Sequence, residues 1–127
     1  MPAFYKISKD RRLVLTSASG VLALADVLAH QDQILADPDF NPQYSQLLNL
    51  THVTKIDLSA DDICKLAERH IFHPTSSRAI LVTTDLGEGL ARLFKILREH
   101  AGEKRIRIFR NLDEALEWVF MMNSGKC

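Results

Sequence analysis

Cysteine is nearly missing from this chain: Cys64 and Cys127 are the only two. One is expected half-buried in a helix and the other sits on a tail, which excludes a disulfide framework and makes a reducing, cytoplasmic setting the expectation. Glycine and proline are scarce, five and four respectively, and no linker, repeat or low-complexity segment divides the chain. Long apolar runs are absent too. A run such as Val21–Ala25 falls far short of the roughly 20 apolar residues that span a bilayer, so no stable membrane insertion is expected. Met-Pro-Ala-Phe-Tyr-Lys lacks the basic segment and apolar run of a secretory signal. Excess charge is missing as well: sixteen Lys and Arg balance sixteen Asp and Glu, leaving no global field to draw in nucleic acid. The basic clusters Lys9–Arg12 and Lys104–Arg107 fit a turn and a solvated strand face better than a groove that tracks phosphates.

Catalytic and metal signatures are lacking in the same way. Asp85-Leu86-Gly87-Glu88-Gly89 is not followed by Gly-Lys-Ser/Thr and is no P-loop. Ser59, His52 and Asp57 lie close in sequence, but no nucleophile elbow surrounds the serine. His52, His70 and His73 with Cys64 match no zinc-ligand spacing. The expectation is a protein that is not an enzyme, with no metal and no cofactor.

What is present patterns clearly as α/β. At 127 residues the chain is one domain, expected over 1–122 with 123–127 as a loose tail, and can bury about 70% of its unfolded surface. Phe4–Ile7 and Leu13–Thr16 read as a hairpin, with Ser17–Gly20 breaking the second strand. A first helix follows, with Leu24, Val27, Leu28, Ile34 and Leu35 on its apolar stripe and Asp26, His30 and Gln33 toward water. Asp37-Pro38 ends it. Next come a strand at Gln46–Leu50, a polar loop, and a helix from Ala60 to about Ile71. Ala79–Thr83 is continuously apolar, as in a central parallel strand covered on both faces. The third helix carries Leu86, Leu90, Leu93, Phe94 and Leu97 and is closed by Gly102. Arg105–Phe109 alternates charge with aliphatics, as an edge strand does, and a last helix from Leu112 turns Leu116, Val119 and Phe120 inward. The order ββαβαβαβα predicts a single mixed, mostly parallel sheet of about five strands with four helices.

The opening hairpin with Thr16–Gly20, the segment Leu47–Ala60, the stretch Asp85–Arg92 and the stretch Phe109–Ala115 together resemble the SpoIIAA-like family of small bacterial proteins. That family is related in fold to STAS domains and is sometimes described with the Sec14-type lipid-binding fold. The STAS side of the resemblance implies a regulatory or protein-interaction module. There, a corner reading Asp-Ser-Ser-Gly is phosphorylated on its second serine. Asp57 matches the aspartate and Ser59 the phospho-acceptor, while Leu58 and Ala60 stand where that motif has serine and glycine. The implied interaction surface comprises Thr51, His52, Lys55, Asp57, Leu58, Ser59, Leu86 and Gly87, facing an unknown protein partner or a second copy in a homodimer. The Sec14 side implies instead a carrier of a lipid or other small apolar ligand held between sheet and helices. The residues themselves favour a simpler role for Ser59. Ser59-Ala60-Asp61-Asp62 is spaced as a capping box, and a phosphate there would be repelled by Asp57, Asp61 and Asp62.

Overall fold

Strand residues that are apolar on both faces need two covering layers, and a computed structural model describing residues 3–124 supplies helices on both sides of one sheet. The elements are β1 (Ala3–Ser8), β2 (Leu13–Ala23), α1 (Leu24–Ala36), β3 (Ser45–Asp57), α2 (Ala60–Ala67), β4 (Arg78–Leu81), α3 (Asp85–His100), β5 (Ile106–Phe109) and α4 (Leu112–Asn123). Their number and order are those read from the sequence. Spatial order follows chain order, with β1 antiparallel to β2 and every later pair parallel. Successive right-handed crossovers across a sheet built in this sequence bring α1, α2 and α3 to one face. The last helix, α4, covers the other. Leu13, Leu47, Ala79, Leu81 and Phe109 meet Ala115 and Val119 of α4. Their neighbours Val14, Ile80, Val82 and Ile106 face Ile34 of α1 and Ala91 of α3. All four residues of β4 are buried and β5 is an edge, as the patterns predicted.

Several boundaries differ from the sequence reading. Ser17–Gly20 does not end β2: register shifts at Ser17/Ser19 and Gly20/Val21 absorb the irregularity, with Gly20 in the left-handed region (φ 68°), and pairing continues to Ala23. The polar stretch after Leu50 is strand as well, because β3 pairs with β2 as far as Asp57. Helix α2 stops at Ala67, yet Ile71 and Phe72 beyond it are buried. On α1, His30 and Gln31 are buried, whereas Leu35 is exposed. Phe120 faces outward, beneath the guanidinium of Arg11, and Ala115 takes the inner position on α4. Cys64 is exposed rather than half-buried, and Cys127 lies outside the described residues. Asn123 is no part of a loose tail: it ends α4, pairs with the Ser45 hydroxyl and donates to the carbonyls of Arg11 and Arg12. No helix among the described residues is long and apolar enough to cross a membrane.

One ionic cluster ties these elements together. Gly102, at φ 108°, turns the chain back after α3 and places Glu103 beneath it, completely buried. Glu103 Oε1 accepts from Arg98 Nε at 2.8 Å and from Arg78 Nη1 at 3.1 Å. Arg98, only 2% exposed, also donates to the carbonyl of Ala67 at 2.8 Å, fastening the end of α2 to α3. The guanidinium of Arg78 lies over the rings of Phe72 and Phe94, 4.7 and 5.2 Å from their centroids. Removing one member of such a group strands the others in a medium that solvates charge poorly. Glu103→Gln is therefore expected to destabilise the fold by about 3–5 kcal/mol, read as a lower urea midpoint at unchanged slope.

Candidate functional site

Helix α2 packs chiefly on α3 rather than on the strands, and a cavity of about 110 Å³ lies on this face of the sheet. Its lining includes Leu48, Leu50 and Ile80 from the strands, Val27 and Ile34 from α1, Ile63 and Leu66 from α2, and Leu90, Ala91 and Phe94 from α3. Close-packed interiors hold few voids larger than one water molecule, which sets this one apart from a packing defect. Leu22, Ile71 and Phe72 are buried and also line it.

Apart from Gln31 on α1, whose Oε1 accepts from Arg69 at 3.1 Å, the polar side chains lining the cavity are joined in one rung. Gln46 on β3 stands directly opposite Arg78 on β4, and Thr16 on β2 sits one same-face step along from Gln46's partner Val14. Arg78 donates to Gln46 Oε1 from Nε and Nη2, at 3.3 and 3.2 Å. Gln46 Nε2 donates to the Thr16 hydroxyl at 3.1 Å, and that hydroxyl lies 3.1 Å from His30 Nε2. His30, reaching in from α1, is 4% exposed, and its Nδ1 has no hydrogen-bond partner among the described residues. The ring of Tyr5 stands edge-on to it, with centroids 5.5 Å apart. Burial lowers the His30 pKa, so the imidazole is neutral near pH 7. Sequence reading missed this rung. His30 fell just off the apolar stripe, and nothing in the order of residues joins positions 16, 30, 46 and 78.

The residues that the sequence singled out lie elsewhere, about the carboxyl ends of β3 and β4. Ser59 caps α2: its hydroxyl accepts from Asp62 N at 3.1 Å, and Asp62 Oδ2 accepts from Ser59 N at 3.0 Å. Thr51 donates from N and Oγ1 to Asn49 Oδ1, at 2.9 and 2.7 Å. His52, Lys55 and Asp57 are exposed along β3, while Leu58 packs against Ala18 and Leu22. Leu86 is 59% exposed. Gly87 is buried, and a Cβ there would crowd the capping Thr84 Oγ1 at 3.1 Å while meeting Ile56 Cδ1 of β3 at an ordinary 3.5 Å, so the cap hydroxyl is what disfavours a side chain here. Asp85 and Glu88 do not cap α3. Thr84 does, accepting from Gly87 N at 3.0 Å, and the two carboxylates bind Arg110 at 2.9 Å each. Arg92 and Arg110 together hold Glu88 below the usual carboxylate range. Lys55, Leu86 and Gly87 border a surface hollow of about 380 Å³ walled by β3 on one side and residues 82–84 on the other. No hydrogen bond joins Ser59, His52 and Asp57 among the described residues, and no group of three or more His, Cys, Asp or Glu there could hold a metal ion.

Two outcomes follow from these geometries. Loss of the Ser59 hydroxyl in Ser59→Ala should cost about 1 kcal/mol, while Ser59→Asp, itself a good cap, should stay within about 0.5 kcal/mol of wild type in urea unfolding. For His30, the unfolded chain takes up a proton first as pH falls through the ordinary imidazole value of 6.5. Its contribution is complete above that value and declines below it. Melting temperatures between pH 7.5 and 5.5 should therefore fall more steeply for wild type than for His30→Phe.

No protein-family model matches the chain, and no curated protein does. Among solved structures, it is similar to an uncharacterised protein of the DUF3478 family from Shewanella loihica PV-4, described as having a SpoIIAA-like fold. The two share 20% of their residues over 92% of this chain and 91% of the other, with a TM-score of 0.57. With five strands and four helices matched over nearly the whole of both chains, the fold of this protein is SpoIIAA-like.

Proposed function

We propose that this protein is a non-enzymatic binding protein that holds a small, mainly apolar molecule between its sheet and helices α1–α3. The observation that carries this reading is the cavity itself: about 110 Å³, walled mainly by aliphatic and aromatic side chains, with most of its polar groups joined in one rung. Ligand sites typically combine an apolar wall with a few polar groups that fix orientation. An apolar cavity of about 150 Å³ accepts benzene, so at about 110 Å³ this partly open one suits a slimmer apolar body, such as a short alkyl chain. A cytoplasmic setting accords with the free, exposed thiol of Cys64.

Native mass spectrometry of the protein from its own host should show a small adduct that is lost on denaturation. Added hexan-1-ol should raise the melting temperature of the emptied protein, and Ile80→Phe, which fills the cavity from β4, should abolish that rise while keeping the wild-type circular dichroism. A bare chain in the native spectrum together with no response to hexan-1-ol would sink the reading.

A second reading, a protein-interaction module, is favoured by one specific feature. Pairing of β3 with β4 ends at Asn49 and Leu81, whereas β3 runs on to Asp57 beside the surface hollow and the exposed Leu86. A strand edge left unpaired invites another strand, from a partner or from a second copy of this chain. Phosphorylation of Ser59 would act at the end of that edge. A phosphate mapped to Ser59 by intact mass, and a co-purifying partner released by Ser59→Asp, would support this reading over the first.

A further inference from the structure

The polar rung of the cavity has a direction, and that direction specifies a ligand. A guanidinium can only donate, so the two bonds from Arg78 identify the Gln46 atom facing it as the carbonyl oxygen. The Gln46 amide nitrogen must then be the donor toward Thr16. The Thr16 hydroxyl is buried and already accepts from Gln46, and among the described residues its single hydrogen finds an acceptor in His30 Nε2. A neutral imidazole that accepts at Nε2 carries its proton on Nδ1. Nδ1 is the buried atom without a partner. The chain of bonds that starts at Arg78 thus ends in an unsatisfied N–H on a ring lining the cavity.

Charge at the same rung points the same way. Arg78 and Arg98 share the single carboxylate of Glu103, so the buried cluster carries one excess positive charge. Arg78 itself lines the cavity, as do Phe72 and Phe94, whose rings lie over its guanidinium. Its four bonds engage at most four of its five N–H groups. A buried cation with incomplete neutralisation favours an anion nearby.

We infer that the cavity takes a small amphipathic anion, a short apolar body ending in a carboxylate whose oxygens accept from His30 Nδ1–H and offset the excess charge of the Arg78–Glu103–Arg98 cluster. This rests on the proposal that the cavity holds a ligand, and deepens it. An alcohol of the same length would satisfy the imidazole but not the charge. An amine would meet a donor and a cation.

Calorimetric titration of the emptied wild-type protein with hexanoate, hexan-1-ol and hexylamine at one pH tests the assignment. Hexanoate should bind about tenfold or more tightly than hexan-1-ol, and hexylamine should not bind. His30→Phe should weaken hexanoate binding far more than hexan-1-ol binding, so that most of the preference for hexanoate is lost. Nitrogen-detected spectra of the imidazoles should show His30 protonated at Nδ1 and bare at Nε2 before ligand is added, a measurement that needs no variant. Equal or tighter binding of hexan-1-ol, a preference for hexanoate that survives His30→Phe, or a bare Nδ1 would each overturn the inference while leaving the cavity reading in place. Failure of all three probes to bind would overturn both.

Discussion

The face of the sheet covered by α1–α3 is organised around one buried carboxylate, that of Glu103, shared by two guanidiniums. Through Arg98 it holds the end of α2 against α3, because the other arm of that guanidinium is bonded to the Ala67 carbonyl. Through Arg78 it anchors the start of β4 and the polar rung that crosses to β3 and β2. A buried ion pair adds little net stability over well-packed apolar residues, but breaking one is costly, so such a group acts mainly as a geometric constraint. Here it constrains the distance between a helix pair and a sheet.

The cavity follows from that constraint together with topology. Sequential parallel strands with right-handed crossovers send three helices to the same face, while α4 alone covers the other. Helix α2 is a short element, Ala60–Ala67, and it is bonded to α3 through Arg98 rather than packed into the strands. The aliphatic face of β3 and β4 is left with less helix than it needs, and Ile63 and Leu66 meet it across a gap instead of filling it. Polar residues of the sheet then appear where Arg78 must be satisfied on its uncharged side by Gln46. Thr16 and His30 extend that requirement across the cavity wall.

Local patterns were legible to the extent that their causes are local. The apolar run at Ala79–Val82 identified an interior strand because burial on both faces leaves no alternation. The spacing of Ser59 and Asp62 identified a cap because the two bonds involved span three residues. The extent of β2 and β3 was not legible: bulges let pairing continue through Ser17–Gly20, and pairing to β2 makes strand of a polar stretch that would be loop alone. His30 was misplaced for a similar reason. Its polar ring is tolerated inside because the hydroxyl of Thr16, on β2, pairs with its Nε2 there.

Composition and periodicity by themselves determined the element order, the α/β class, the buried strand β4, the edge strand β5 and the Ser59 cap, since each depends on residues within a turn or two of one another. Tertiary structure alone decided which charges are buried, that Arg78, Arg98 and Glu103 meet, and that a cavity with a directed polar rung lies under α2. In sequence, an arginine reads as a surface residue. Only the approach of a carboxylate and two aromatic rings from distant segments gives it a reason to be inside.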